Sequence, residues 1–144
     1  MGSRKFHEVR AAHHLEVAEF LSGNENFVDW AVLGLFYAAH QMVHSALSGE
    51  SSLSKDERHP RKHTSYGGAG TGGRGTVQLV SALFPSPVHR SYRSLFEASL
   101  RTRYDMDSLG IGGAYTQFHS QYDMVATHCK MLSLTREDIS TQAP

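Results

Sequence analysis

A chain of 144 residues suits one domain around a single core and leaves little room for a second. With 40% hydrophobic and 19% charged residues, the composition is globular and excludes a disordered or fibrous chain. A lone cysteine, Cys129, excludes a disulfide framework and a multi-cysteine zinc site, and fits a reducing compartment.

The pattern is helical nearly throughout. Phe6, Val9, His13, Val17, Phe20 and Leu21 recur at spacings of three and four, which predicts one inward face of a first helix over residues 4–21. Ser22-Gly23 is expected to end it, glycine accepting the left-handed conformation of a helix terminus. Asn26 reads as the N-cap of a second helix over 27–47, with Asp29 near the positive end of its dipole. That helix is apolar on nearly every side, which places it at the centre of a bundle. Its longest apolar run, Trp30 to Ala39, is about half of what spans a bilayer, so no membrane segment is expected.

Residues 48–75 break the pattern with a charged stretch and seven glycines, and read as a long Gly-rich, flexible loop. A short helix over 77–84 should end before Pro85. Ser86-Pro87 then signals the start of a helix over 87–105, serine capping and proline occupying the first helical position. After Gly110, Gly112 and Gly113, a last helix over 114–132 carries Tyr115, Phe118, Tyr122, Val125, Cys129 and Leu132 as one long stripe suited to pairing with another helix. The polar tail, 134–144, is expected to fray. The elements add up to a single all-α domain over residues 1–144, an antiparallel bundle of four to five helices. Met-Gly-Ser-Arg-Lys at the N-terminus lacks the apolar stretch of a signal peptide, so a cytoplasmic location is expected.

Net charge is zero, but the signs are segregated. Between Arg58 and Arg103 stand eight basic residues (Arg58, Arg61, Lys62, Arg74, Arg90, Arg93, Arg101 and Arg103) and one acid, Glu97, while both flanks are net acidic. Two readings stand: an anion-attracting face that would hold RNA or nucleotide phosphates, or a solvated surface neutralised by acids folded close by.

Several motifs carry possible chemistry. Gly68-Ala-Gly-Thr-Gly-Gly73 matches the dinucleotide fingerprint in letters, but no strand signal precedes it, and Arg74-Gly75 stands where a P-loop needs Lys-Ser/Thr; the segment reads as loop, and no cofactor is expected. His40 and His44 sit four apart on one helix, a metal-ligand spacing, and His119 with Asp123 repeats it on the last helix, with His13 able to lean in from the first. A metal site and a set of hydrogen-bonded structural histidines are the alternatives, the second preferred among ten histidines. Cys129, on an apolar stripe, reads as a buried thiol. In the basic loop Arg58-His-Pro-Arg-Lys-His63, imidazole and guanidinium brought to one phosphodiester would suit ribonuclease-type proton transfer and charge stabilisation; a hydrated loop is the plainer alternative.

Ala11-Ala-His-His-Leu15, Asn26-Phe-Val-Asp-Trp-Ala31, Leu35-Phe-Tyr-Ala-Ala-His40, His44-Ser-Ala-Leu47, a charged loop with His59 and Arg61, Tyr92-Arg-Ser-Leu95 and Arg101-Thr-Arg-Tyr-Asp105 follow one another in an order that resembles the HEPN family of small helical-bundle proteins. The resemblance implies a four- or five-helix bundle that commonly dimerises. It also implies either a metal-independent endoribonuclease of toxin–antitoxin or antiviral defence systems, or a non-catalytic partner of a nucleotidyltransferase or other protein of the same module. The family's catalytic signature is an arginine with a histidine after four to six residues. Here the formal match is Arg58 with His63, in the predicted loop, whereas Arg90, Arg93, Arg101 and Arg103 have no histidine at that distance. A degenerate member that binds RNA without cutting it is the favoured form. Arg58 and His63 are then the catalytic candidates, and Arg61, Lys62, Arg74, Arg90, Arg93, Arg101 and Arg103 the phosphate holders.

Overall fold

The computed structural model describes residues 4–55, 57–60, 75–104 and 114–142, with side chains through Leu134. Among them are five helices and no strand: α1 (Arg4–Ser22), α2 (Val28–Leu47), α3 (Thr76–Leu83), α4 (Ser86–Tyr104) and α5 (Tyr115–Gln142), with a 3₁₀ turn over Glu25–Phe27. No helix among the described residues is long and apolar enough to cross a membrane.

The apolar run of α2 dictates the architecture. Fifteen of its twenty residues are buried, and it can bury them all round only by taking the central position, packed against α1, α4 and α5. The partners alternate in direction. His7 meets Gln41 while Ala18 lies against Gly34, so α1 runs antiparallel to α2. His40 meets Tyr92 and Thr102 meets the Asp29 carbonyl, so α4 does too. Ser91 reaches Met124, and Phe84 packs edge-on against His128, so α5 returns antiparallel to α4. At the centre the Phe36 ring contacts Tyr37, Tyr92 and Phe96 and stacks on His40. The stripe of α5 faces inward, with Tyr122, Val125 and Cys129 buried and Tyr115, Phe118 and Leu132 partly buried against the core.

Five local expectations change. The inward face of α1 is not the one its large apolar residues draw. His7, Ala11 and Ala18 are buried, whereas Phe6, Val9, Val17 and Phe20 are exposed. Size decides this: a methyl group built on Gly34 would lie 3.1 Å from the Ala18 Cβ, an approach between α1 and α2 that only small residues allow. The cap lies before the 3₁₀ turn, where the Asn24 side chain accepts from the Asn26 N–H, and Asn26 itself is inside the turn. Gly23 avoids the left-handed region, and α1 closes instead through tight bonds from Gly23 to Phe20 and from Asn24 to Leu21. At the start of α4 the Pro85 carbonyl accepts from Val88 and His89, so Ser86 is already helical. Finally, α5 does not stop at residue 132: its backbone stays helical through Gln142, over the tail expected to fray. Polarity ends the stripe there, but polarity is no helix terminator, and neither glycine nor proline occurs between Ser133 and Gln142. Residues 48–55 and 57–60 form turns without helix; the glycine-rich part of the expected loop lies outside the described residues.

Candidate phosphate-binding face

The outer surface of α4 is set by the burial of its other side. Val88, Ser91, Tyr92, Leu95, Ala98, Ser99 and Thr102 face the bundle, which leaves Arg90, Arg93 and Arg101 exposed on the opposite side. Glu97 stands in the same outward row and receives Arg93 Nε at 3.2 Å, an exposed i,i+4 pair of small energetic weight. Arg101 and Arg103 occupy the last turn, where the helix dipole favours positive charge.

Arg103 lies at the edge of this face and is held in place. Its Nε donates to the Ser99 carbonyl at 3.2 Å, Nη2 to Ser99 Oγ at 3.4 Å and Nη1 to the Tyr37 hydroxyl at 3.1 Å. The guanidinium carbon lies 5.3 Å from the centre of the Tyr104 ring and 5.9 Å from that of Tyr37. Tyr104 is 72% exposed, so a fixed cation sits beside an open aromatic face. The Tyr37 ring also lies 5.7 Å from that of His14, on α1. Burial, then the charge of Arg10 and then His13, holds His14 below its ordinary value, so the ring is neutral at neutral pH. Through Tyr37, groups from three helices, α1, α2 and α4, thus come together: the His14 imidazole, the phenol and the Arg103 guanidinium.

A second row of polar groups lies beneath. His40 Nε2 is 2.6 Å from the Pro60 carbonyl, which can only accept, so Nε2 carries the proton; in the neutral ring Nδ1 then accepts from the Tyr92 hydroxyl at 3.0 Å. Tyr92 is fully buried, and that burial pushes its phenol well above the usual value, so the hydroxyl keeps its proton. His44 Nε2 pairs with Thr76 Oγ1 at 2.9 Å, and His7 Nδ1 donates to Gln41 Oε1 at 2.7 Å. The rings of His40 and His44 are 4.7 Å apart, those of His7 and His44 5.8 Å. This row fastens the end of the turn region at Pro60 and the start of α3 at Thr76 to neighbouring residues of the central helix.

Sequence-predicted positions divide accordingly. Arg90, Arg93 and Arg101 share one exposed face, with Arg103 at its edge. Arg58 is exposed, its N–H bonded to the Ser54 carbonyl, two residues before the fastened Pro60. Its expected companion His63, and with it Arg61, Lys62 and Arg74, lies outside the described residues. His40, His44 and His119 do not assemble. The first two are engaged with Tyr92, Pro60 and Thr76, His119 pairs with Asp123 at 3.2 Å, and no group of three metal-ligating side chains occurs among the described residues. His13 is exposed on the outer side of α1. Cys129 is buried, which pushes its thiol up to about 12 and leaves it unreactive. Tyr37, His14 and Tyr104 were not singled out as site residues from the sequence; the available signal was a tyrosine hydroxyl inside an otherwise apolar run, which must find a polar partner.

No protein-family model matches this chain, and neither does any curated protein or solved structure.

Proposed function

We propose that this helical domain binds single-stranded RNA, or nucleotides with the same phosphate chemistry, through the outer face of α4, as a cytoplasmic HEPN-like component of a defence or toxin–antitoxin module. One observation carries the reading: three exposed arginines on one helix face lead to Arg103, fixed beside the open ring of Tyr104. Guanidinium groups hold phosphates without reading sequence, and an exposed aromatic ring accepts any stacked base, the combination used for single strands. The near absence of acids between Arg58 and Arg103 supports the same reading.

Binding and cleavage are separable in it. Cleavage requires imidazole and guanidinium at one phosphodiester, and Arg58 with His63 is the pair assigned to that step. His63→Ala should then abolish cleavage with an unchanged helical circular-dichroism signal, while activity that survives removes the pair. Binding is tested by fluorescence anisotropy with an unstructured oligoribonucleotide over a salt series. Affinity should fall steeply with salt, and Arg90→Glu with Arg101→Glu should lower both affinity and the steepness of that fall. A flat salt response overturns the reading.

The exposed apolar residues of α1 favour a second reading, a module that works through protein contacts, alone or with a partner such as a nucleotidyltransferase. Stoichiometric capture of one protein without nucleic acid would favour it.

A further inference from the structure

The outer face of α1 carries a row of large apolar residues along its length, bordered by exposed Lys5, Arg10 and Glu16, although the core lies on the other side. Phe6, Val9, Val17 and Phe20 are 54%, 60%, 39% and 84% exposed, and His13 is exposed among them. Isolated exposed apolar residues are ordinary; a row of them running about 21 Å along one helix face is not.

The order of this row says what fits on it. Phe6, Val9, His13, Val17 and Phe20 are spaced three, four, four and three, so the row reads the same from either end, with His13 at its centre. A helix face with that symmetry is complementary to an antiparallel copy of itself. A two-fold axis through His13 brings Phe6 against the partner's Phe20 and Val9 against the partner's Val17, the reciprocal arrangement of an isologous interface. The flanking charges agree. At 100° per residue, exposed Lys5, Glu16 and Glu19 lie on the same side of the row, the base near one end and the acids near the other. Antiparallel pairing sets Lys5 of one chain beside Glu19 of its partner, at both ends of the contact. Parallel pairing instead puts the two copies of this charged flank on opposite sides of the contact, so Lys5 and Glu19 do not meet.

We propose that two copies of this chain associate through the outer face of α1, antiparallel about a two-fold axis at His13. The inference does not rest on RNA binding, and its test needs no RNA. One four-turn face is smaller than the ~800 Å² per partner of a standard interface, so association is expected in the micromolar range.

Sedimentation equilibrium on the full chain should show a monomer–dimer equilibrium that Phe20→Glu shifts to monomer at least tenfold. Phe20 is 84% exposed, so that variant should keep the circular-dichroism spectrum and melting temperature of the parent. Cross-linking then tests the geometry under mild oxidation. His13→Cys alone should form a disulfide-linked dimer; Val9→Cys mixed with Val17→Cys should do so as well, and Val9→Cys alone should not. Buried Cys129 keeps the background low. A monomer at every concentration overturns the proposal, and a dimer untouched by Phe20→Glu places the contact on another surface and overturns it equally. Self-linking of Val9→Cys as fast as the mixture overturns the antiparallel arrangement.

Discussion

His40 and His44 on α2, and Arg90, Arg93 and Arg101 on α4, are two concentrations of nitrogen donors, one at the centre of the bundle and one on its rim. At the centre each imidazole is within hydrogen-bond distance of a named partner: Tyr92 and Pro60 for His40, Thr76 for His44. On the rim the only ion pair given to the α4 arginines among the described residues is the exposed one from Arg93 to Glu97. Polar groups removed from water need internal partners or they oppose folding, whereas a hydrated charge contributes little to stability and stays ready for a ligand. Stability and binding should therefore respond to different substitutions. The inner row holds the chain together, and the outer row is available for contact.

The largest effect that could break this division is His40→Ala. It removes the acceptor of the buried Tyr92 hydroxyl and the donor to Pro60, and leaves a cavity beside Phe36. A urea melt should show a loss of about 2–4 kcal/mol. A loss under half a kcal/mol would mean that the inner row does not support the fold. On the rim, Tyr104→Ala should weaken binding of an unstructured oligoribonucleotide by about 1–3 kcal/mol while the melt stays within about 0.5 kcal/mol of the parent. The reverse outcome would make Tyr104 a packing residue.

Tyr37→Phe tests the seam between the two rows. It removes the hydroxyl that receives Arg103 and should cost about 0.5–1.5 kcal/mol of stability by the same melt. With Arg103 less firmly placed, RNA affinity should fall as well, which a purely structural hydroxyl would not cause.

The smallest effect concerns pH. His14 is held below the ordinary imidazole value of 6.5, by burial first and then by Arg10 and His13. As pH falls through that ordinary value, the unfolded chain binds a proton before the folded one does. Stability therefore declines from there downward and levels off once folded His14 is protonated too. His14→Gln should flatten part of that decline, seen as a smaller shift of the urea midpoint between about pH 7.5 and about pH 5.

Much of the architecture was legible because it follows from continuous apolar patterns. The run from Trp30 to Ala39 admits only a central helix, and the stripe from Tyr115 to Leu132 points one way. The face of α1 was misread because both of its sides recur at spacings of three and four. His7, Ala11, Ala18 and Ser22 form as regular a row as Phe6, Val9, His13 and Phe20, and hydrophobicity ranks the wrong one first. The close approach at Gly34 selects the small residues, and that is a property of two helices together. At the candidate site, charge segregation revealed the α4 arginines, since a charge pattern is local. Tyr37 stayed hidden among apolar neighbours, because its role depends on His14 and Arg103, 23 and 66 positions away. The sequence motif Arg58 to His63 is tied to the fold at Pro60, while His63 itself lies outside the described residues.

The bonds from His40 to Pro60 and from His44 to Thr76 have one further consequence. They secure the two ends of a connection on adjacent turns of one helix, with rings 4.7 Å apart. Two points of the chain sixteen positions apart in sequence are thus moored to a single rigid rod, and the distance between them is set by one helical turn. Any shift of α2 carries both moorings with it, whereas a substitution at one histidine releases only one of them.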